Sequence, residues 1–132
     1  MKYFTIAELC KSTTADRLGI NNRCRQEHVT ALTALVDNVL DPLREWWGKP
    51  ITVNSGYRCP ELNAAVKGSK TSQHMVGEAA DIDTGDRQQN KLLFEYIRKN
   101  LPYDQLIDES NFAWVHVSYR ADGNNRMQVL KL

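Results

Sequence analysis

Histidine is scarce in this chain, occurring only as His28, His74 and His116, so the surroundings of each carry information. His74 lies in the polar run T-S-Q-H-M-V-G-E-A-A-D, just ahead of a stretch that reads as a strand and delivers Asp81. A loop-to-strand return of that length can bring both side chains to one point. His116 lies mid-strand in W-V-H-V-S-Y, where alternation sends Val115 and Val117 to one face and Trp114, His116 and Ser118 to the other. Two imidazoles and a carboxylate, with a fourth position left to water, are the open coordination of a catalytic zinc rather than the closed set of a structural one. Spacing alone leaves this pattern loose. With no cysteine ligand or H-E-x-x-H helix, a strand histidine is more often a hydrogen-bonded core residue, and an aspartate at a strand end more often a turn or cap. His28, on a long helix, reads as structural or solvated.

These side chains need a scaffold, and hydrophobic periodicity supplies one. The T-I-A-E run at Thr5 to Glu8 has capping-box spacing for a short helix ending near Cys10, and a second short helix is expected to stop at Gly19. From Gln26 to Trp47 the residues Val29, Leu32, Leu35, Val36, Val39, Leu40, Leu43 and Trp46 recur at helical spacing and predict the main core helix. Pro42 should kink or interrupt it, and Gly48 is placed to end it. Ile51 to Asn54 reads as a strand, Pro60 to Val66 as a short helix, and Lys67 to Gly77 as an extended loop. A strand from Glu78 to Asp83 follows. Asp86 can cap a helix whose apolar side carries Leu92, Leu93, Tyr96 and Ile97. Strands at Asp104 to Asp108 and Ala113 to Tyr119 make a hairpin, and Met127 to Leu132 adds an edge strand. Helices packed beside a small, mostly antiparallel sheet give an α+β fold, expected as one domain over residues 1–132.

Composition narrows the partners. The 17 basic and 16 acidic residues are interspersed and leave a net charge of +1, so no footprint for nucleic acid or an acidic membrane stands out. No segment is apolar for long enough to span a bilayer, and the N-terminus lacks the pattern of a secretory signal. Cys10, Cys24 and Cys59 are an odd set with no close pair in sequence, for which reduced thiols are the expectation.

Three segments taken together, S-G-Y-R-C-P-E-L-N (Ser55 to Asn63), S-Q-H-M-V-G-E-A-A-D-I (Ser72 to Ile82) and W-V-H-V-S (Trp114 to Ser118), resemble the zinc D-alanyl-D-alanine carboxypeptidase family. That family also includes D,D-dipeptidases, phage L-alanyl-D-glutamate endolysins and a zinc-bearing relative in the hedgehog signalling domain. The likeness runs from about Val36 to Tyr119. His74, Gly77, Ala79 and Asp81 match its H-x-x-G-x-A-x-D element, and the three motifs arrive in the family order. The resemblance implies one zinc ion held by His74, Asp81 and His116. It also implies that Arg58 steadies the substrate carbonyl as it becomes an oxyanion, a role suited to its permanent charge and forked donors. Gly77 would let the backbone turn tightly between two ligands.

One position departs from the family pattern. Many members carry an acidic general base three residues before the last histidine ligand, where this chain has Ala113. Glu109 is the expected replacement: with Ser110 and Asn111 as a two-residue turn it faces Phe112, on the sheet face of Trp114 and His116. Asp108 points the other way in that register. Asp83 shares a strand face with Asp81, where it could replace Asp81 as ligand or hydrogen-bond a ligating imidazole, and the second role is the expectation. Ser72 and Gln73 are candidates for contact with substrate or the metal's surroundings, and Tyr57 and Trp114 for the walls of a peptide groove.

The function so implied is zinc-dependent hydrolysis of peptide bonds in the stem peptides of bacterial peptidoglycan, by a monomer that needs neither nucleic acid nor membrane. Without a signal, a phage or prophage lysis or tail-associated enzyme released to the wall is the expected setting. Two other readings stay open: an inactive zinc-containing module that binds wall peptide or protein, as Ala113 would permit, and a zinc that serves only as a structural tie.

Overall fold

The computed structural model describes residues 1–132 and has an α+β architecture. Its sheet runs in the order β1 (Thr52–Ser55), β2 (Ala79–Asp83), β4 (Trp114–Ser118), β3 (Gln105–Glu109), β5 (Gln128–Lys131). All neighbours are antiparallel except β5, which joins the edge parallel to β3. The alternation that defines the strands also divides the sheet's faces. Ala80, Ile82, Leu106, Val115 and Val117 enter the core, where they meet Leu93, Phe94 and Ile97 of the helix Arg87–Asn100. The opposite face carries Asp81, Ile107, Glu109, Trp114 and His116, the side chains that line an open cavity.

The long central helix forms over Gln26–Trp47 with the expected interruption, whose shape the chain spacing explains. Pro42 has no N–H to give to the carbonyl four residues back, and its ring crowds the preceding turn. The helix widens into a π turn over Val36–Leu40, and Asp41 N–H donates to Val36 O, five residues earlier. Leu35, Val36, Val39, Leu40 and Leu43 stay fully buried through it. Trp46 instead lies exposed and stacks on Tyr96 at 3.9 Å between centroids, while Trp47 packs on the core. Leu92 is likewise exposed, and Phe94 takes its place inward. In the segment expected to be an extended loop, Gln73–Val76 forms a 3₁₀ turn started by Ser72, whose Oγ accepts from His74 N–H.

The cysteines correct the expectation of reduced thiols: Cys10 and Cys24 form a disulfide, and Cys59 alone is free. Helix Ile6–Cys10 and the turn after helix Thr13–Leu18 bring the two sulfurs together, a proximity that sequence spacing does not reveal. The bridged loop presents Asn22 to the segment around Arg58. Its amide Nδ2 donates to Cys10 O and to Tyr57 O, each at 2.9 Å, and its Oδ1 accepts from Cys59 N–H at 2.7 Å.

A second tie closes the other end of the sheet. Asp104 is fully buried, and its carboxylate accepts from Gln73 Nε2 at 2.9 Å, Arg120 Nε at 3.2 Å, and Arg126 Nε and terminal nitrogen at 3.0 and 2.8 Å. Burial alone would raise its pKa, but these donors, Arg126 foremost, bring it down from 3.8 to about 2. The carboxylate thereby holds together the 3₁₀ segment, the entry to β3 and the connection from β4 to β5.

Two stability measurements follow. Cys10→Ser should lower the unfolding free energy in urea by about 3 kcal/mol, the loop-closure value for a bridge of this span; an unchanged midpoint would argue against the bridge. A depressed carboxylate pKa stabilises above its unfolded value and loses that contribution as pH falls through the folded value. Asp104 should therefore contribute about 2 kcal/mol that disappears between roughly pH 4 and pH 2. The gap in stability between the native protein and Asp104→Asn should narrow over that interval, and a constant gap would count against it.

Candidate active site

The cavity has a volume of about 810 Å³, and its floor is the sheet face described above. His74 comes from the 3₁₀ turn, Asp81 from the middle of β2, and His116 from the middle of β4, directly opposite Asp81 in the register. Gly77 makes the return between the first two possible. It caps the turn at φ +78, and a Cβ there would meet the carbonyl oxygen of His28 at 2.8 Å. His28 itself is structural: its Nδ1 accepts from Arg25 N–H at 3.0 Å and its ring stacks on Tyr57.

His74, Asp81 and His116 each offer one atom that could ligate a metal, and these atoms all lie within 4.8 Å of one another. Asp81 Oδ1 is 3.3 Å from His74 Nε2 and 3.1 Å from His116 Nδ1. His74 Nδ1 is bound at 2.7 Å to Gly56 O, and a backbone carbonyl can only accept, so the proton sits on Nδ1. That leaves the lone pair of Nε2 aimed at the convergence point, where this buried nitrogen makes no hydrogen bond. An orientation fixed by an outer carbonyl, with the inner nitrogen free, is how ligating histidines are held. Two nitrogens and one carboxylate in such a cluster suit zinc, and the trio can hold one ion with a coordination position facing the cavity.

Arg58 approaches from the side. A bulge in β1 skips Asn54, so that Ser55 rather than Asn54 stands opposite Asp81. Ser55 Oγ accepts from Arg58 Nε at 3.0 Å, Asn63 Oδ1 accepts from one terminal nitrogen at 3.2 Å, and Asp81 Oδ2 lies 3.4 Å from the other. Burial would raise the Asp81 pKa, yet the hydrogen bond from His116, foremost among the effects of the two neighbouring imidazoles, holds it far below the usual carboxylate range. Arg58 is pulled down by burial, against the opposing pull of Asp81 and Glu109.

The hairpin is longer than the two-residue turn expected. Glu109 pairs with Trp114, not Phe112, and Ser110, Asn111 and Phe112 all take positive φ in the connection. Asp108 explains the shape, since its Oδ1 accepts Phe112 N–H at 2.6 Å on the buried side. The extra two residues preserve parity, so Glu109 still lines the cavity with Trp114 and His116. Burial, and then the charge of Asp81, raise its pKa above the ordinary carboxylate value.

Residues 2–118 match the sequence profile of the Peptidase M15 family. The chain belongs to that family. It is 38% identical over 76 residues to the zinc D-Ala-D-Ala carboxypeptidase of Streptomyces albus G, a match covering 50% of this chain and 30% of that relative. The chain therefore corresponds to less than a third of that relative's length.

Within this M15 domain, several expected roles shift. Asp83 touches neither histidine: it accepts from Asn90 Nδ2, Gly85 N–H and Asn54 Nδ2, and so builds the turn from β2 into the following helix. Tyr57 is core, 5% exposed, and lines no part of this cavity. Trp114, Ser72 and Gln73 do line it. Sequence reasoning overlooked Gly56 and Asn63, although both fall inside the S-G-Y-R-C-P-E-L-N segment. Gly56 has to be glycine because a Cβ would lie 2.1 Å from the carbonyl oxygen of Leu9, and its own carbonyl orients His74.

The metal prediction is direct. Native protein should carry one zinc per chain by atomic absorption and melt higher with zinc than without. His116→Ala should carry almost none and lose the zinc-dependent rise while remaining folded. Stoichiometric zinc in that variant would remove His116 from the ligand set.

Proposed function

We propose that this chain is a zinc-dependent metallopeptidase that hydrolyses peptide bonds in the stem peptides of bacterial peptidoglycan, with His74, Asp81 and His116 as the zinc ligands. The observation that carries the reading is the unpartnered Nε2 of His74, aimed at the oxygen that Asp81 shares with His116. The name of the Streptomyces relative supports both the metal and the substrate class. Zinc bound there supplies a Lewis acid for the scissile carbonyl and brings the pKa of its water toward neutrality.

The chain's own residues do the rest. Glu109, the one further carboxylate lining the cavity beside Asp81, takes the proton of the attacking water and returns it to the leaving amine. Its raised pKa suits both halves of that exchange better than an ordinary carboxylate would, because a very weak base takes protons poorly. Arg58, locked by Ser55, Asn63 and Asp81, presents fixed positive charge where the carbonyl oxygen turns negative. Trp114 gives the peptide an apolar wall. Glu109 at the cavity also argues against an inactive binding module, since it restores the carboxylate that Ala113 lacks.

Zinc-loaded protein should release discrete stem-peptide fragments from purified peptidoglycan, identified by mass spectrometry. Glu109→Gln should slow release by about 10²–10⁴-fold, and Arg58→Ala by about 10²–10³-fold. Folded, zinc-bearing native protein that releases nothing would overturn the peptidase reading in favour of a binding module.

A further inference from the structure

The cavity extends well past the zinc ligands, and its charge is unbalanced. Arg58, Lys67, Arg120 and Arg126 line it against only Asp81 and Glu109 as carboxylate side chains. Arg58 belongs to the reacting centre. Arg120 and Arg126 do not, and the fold fixes both of them on the buried carboxylate of Asp104. Two guanidinium groups share the Asp104 carboxylate directly, and Glu78, whose charge also acts on Arg126, lies outside the cavity's lining. Arg120 donates to Asp104 through Nε alone, and Arg126 through Nε and one terminal nitrogen. Both terminal nitrogens of Arg120 and one of Arg126 have no partner in the protein, and the two side chains are 37% and 45% exposed. A planar guanidinium held at its base, with outer donors free and its side chain lining a peptide-sized cavity, is prepared for a carboxylate.

Position decides which carboxylate. His116 and Arg120 are four residues apart along β4 and its continuation, where Tyr119 N–H still pairs with Glu78 O. At roughly 3.3 Å per residue that separates their backbones by about 13 Å, the span of three or four extended peptide residues. A carboxylate meeting these arginines is therefore carried by a different residue from the one whose carbonyl is attacked.

We propose that Arg120 and Arg126, braced by Asp104, form a second recognition point that binds a substrate carboxylate remote from the scissile bond, and so select anionic peptides. This rests on the peptide-cleaving reading of the same cavity. The carboxylate can come from an internal residue of the stem peptide or from its C-terminus, and both present the same planar anion.

Three synthetic stem peptides separate the sources: one with all carboxyls free, one with the internal carboxyls amidated, and one amidated at the C-terminus. Their affinities are measured by calorimetry on zinc-loaded Glu109→Gln protein, which keeps the peptide intact, and on the same protein carrying Arg120→Gln. Arg120 is the residue to change because Arg126 still satisfies Asp104; a melting curve and Arg120→Lys, which keeps the charge, accompany it. One amidation should weaken binding by about tenfold, the scale of a charge-assisted hydrogen bond. Arg120→Gln should remove that difference and Arg120→Lys retain part of it. Equal affinities for all three peptides, absence of binding, or equal weakening of all three by Arg120→Gln would each overturn the proposal. Discrimination in binding combined with no turnover by native protein would instead sink the peptidase reading and leave the anion site standing.

Discussion

A carboxylate withdrawn from water must be compensated, and at Asp81 that requirement organises this protein's working face. The residue lies mid-strand on β2, inside a five-stranded sheet and 7% exposed, where an isolated charge would be costly. Three groups converge on it: His116 from the neighbouring strand and Arg58 beyond the β1 bulge donate to it, and His74 from the 3₁₀ turn brings a free Nε2 to the same oxygen as His116. Each arrives by a different backbone device, a positive-φ glycine, a strand register and a bulge. Their common target makes those devices mutually dependent. The same convergence puts two imidazole nitrogens and a carboxylate oxygen where one cation can take the place of the His116–Asp81 hydrogen bond and meet the free Nε2 of His74.

Asp104 repeats the arrangement at the end of the sheet, with a different outcome. There the compensating groups are two guanidinium groups and an amide N–H, all of them donors to the carboxylate, and no imidazole takes part in the cluster. It works instead as a brace. Through Gln73, the residue before His74, it ties the metal-side turn to the β4–β5 connection. The two buried carboxylates thus share a segment of chain. The N-terminal part of the protein acts in the same sense from the other side, with Leu9 O and Asn22 gripping the backbone on either side of Arg58. Arg58 N–H in turn donates to His74 O at 3.0 Å, which links that grip to the first residue of the His74, Asp81 and His116 cluster.

Much of this was legible in the chain because periodicity and spacing are local. The long helix, the capping of the last helix by Asp86, and the alternation around His116 follow from side-chain pattern alone. The partnership of His74, Asp81 and His116 was legible from motif order. Glu109 was placed on the right face although the turn was read two residues too short, because the strand period is two and an error of two residues leaves the face unchanged. What local pattern missed shares one feature. The Cys10–Cys24 bridge, the four hydrogen bonds of Asn22 and Gly56, and the Asp104 cluster all join segments far apart in sequence, or depend on a backbone approach that no residue type announces. Asp83 went to a turn rather than to a histidine for the same reason: a strand face says where a side chain begins, and neighbours from other segments decide what it binds.

By itself the sequence determined which residues were available for chemistry and which elements would carry them, since residue type and period are properties of a short stretch of chain. Tertiary structure alone decided which nitrogen of each histidine faces the convergence point, how Arg58 is locked, and that Arg120 and Arg126 share one buried anion with donors left over. Those are matters of distance and orientation between remote segments, set when the buried carboxylates had to find their partners.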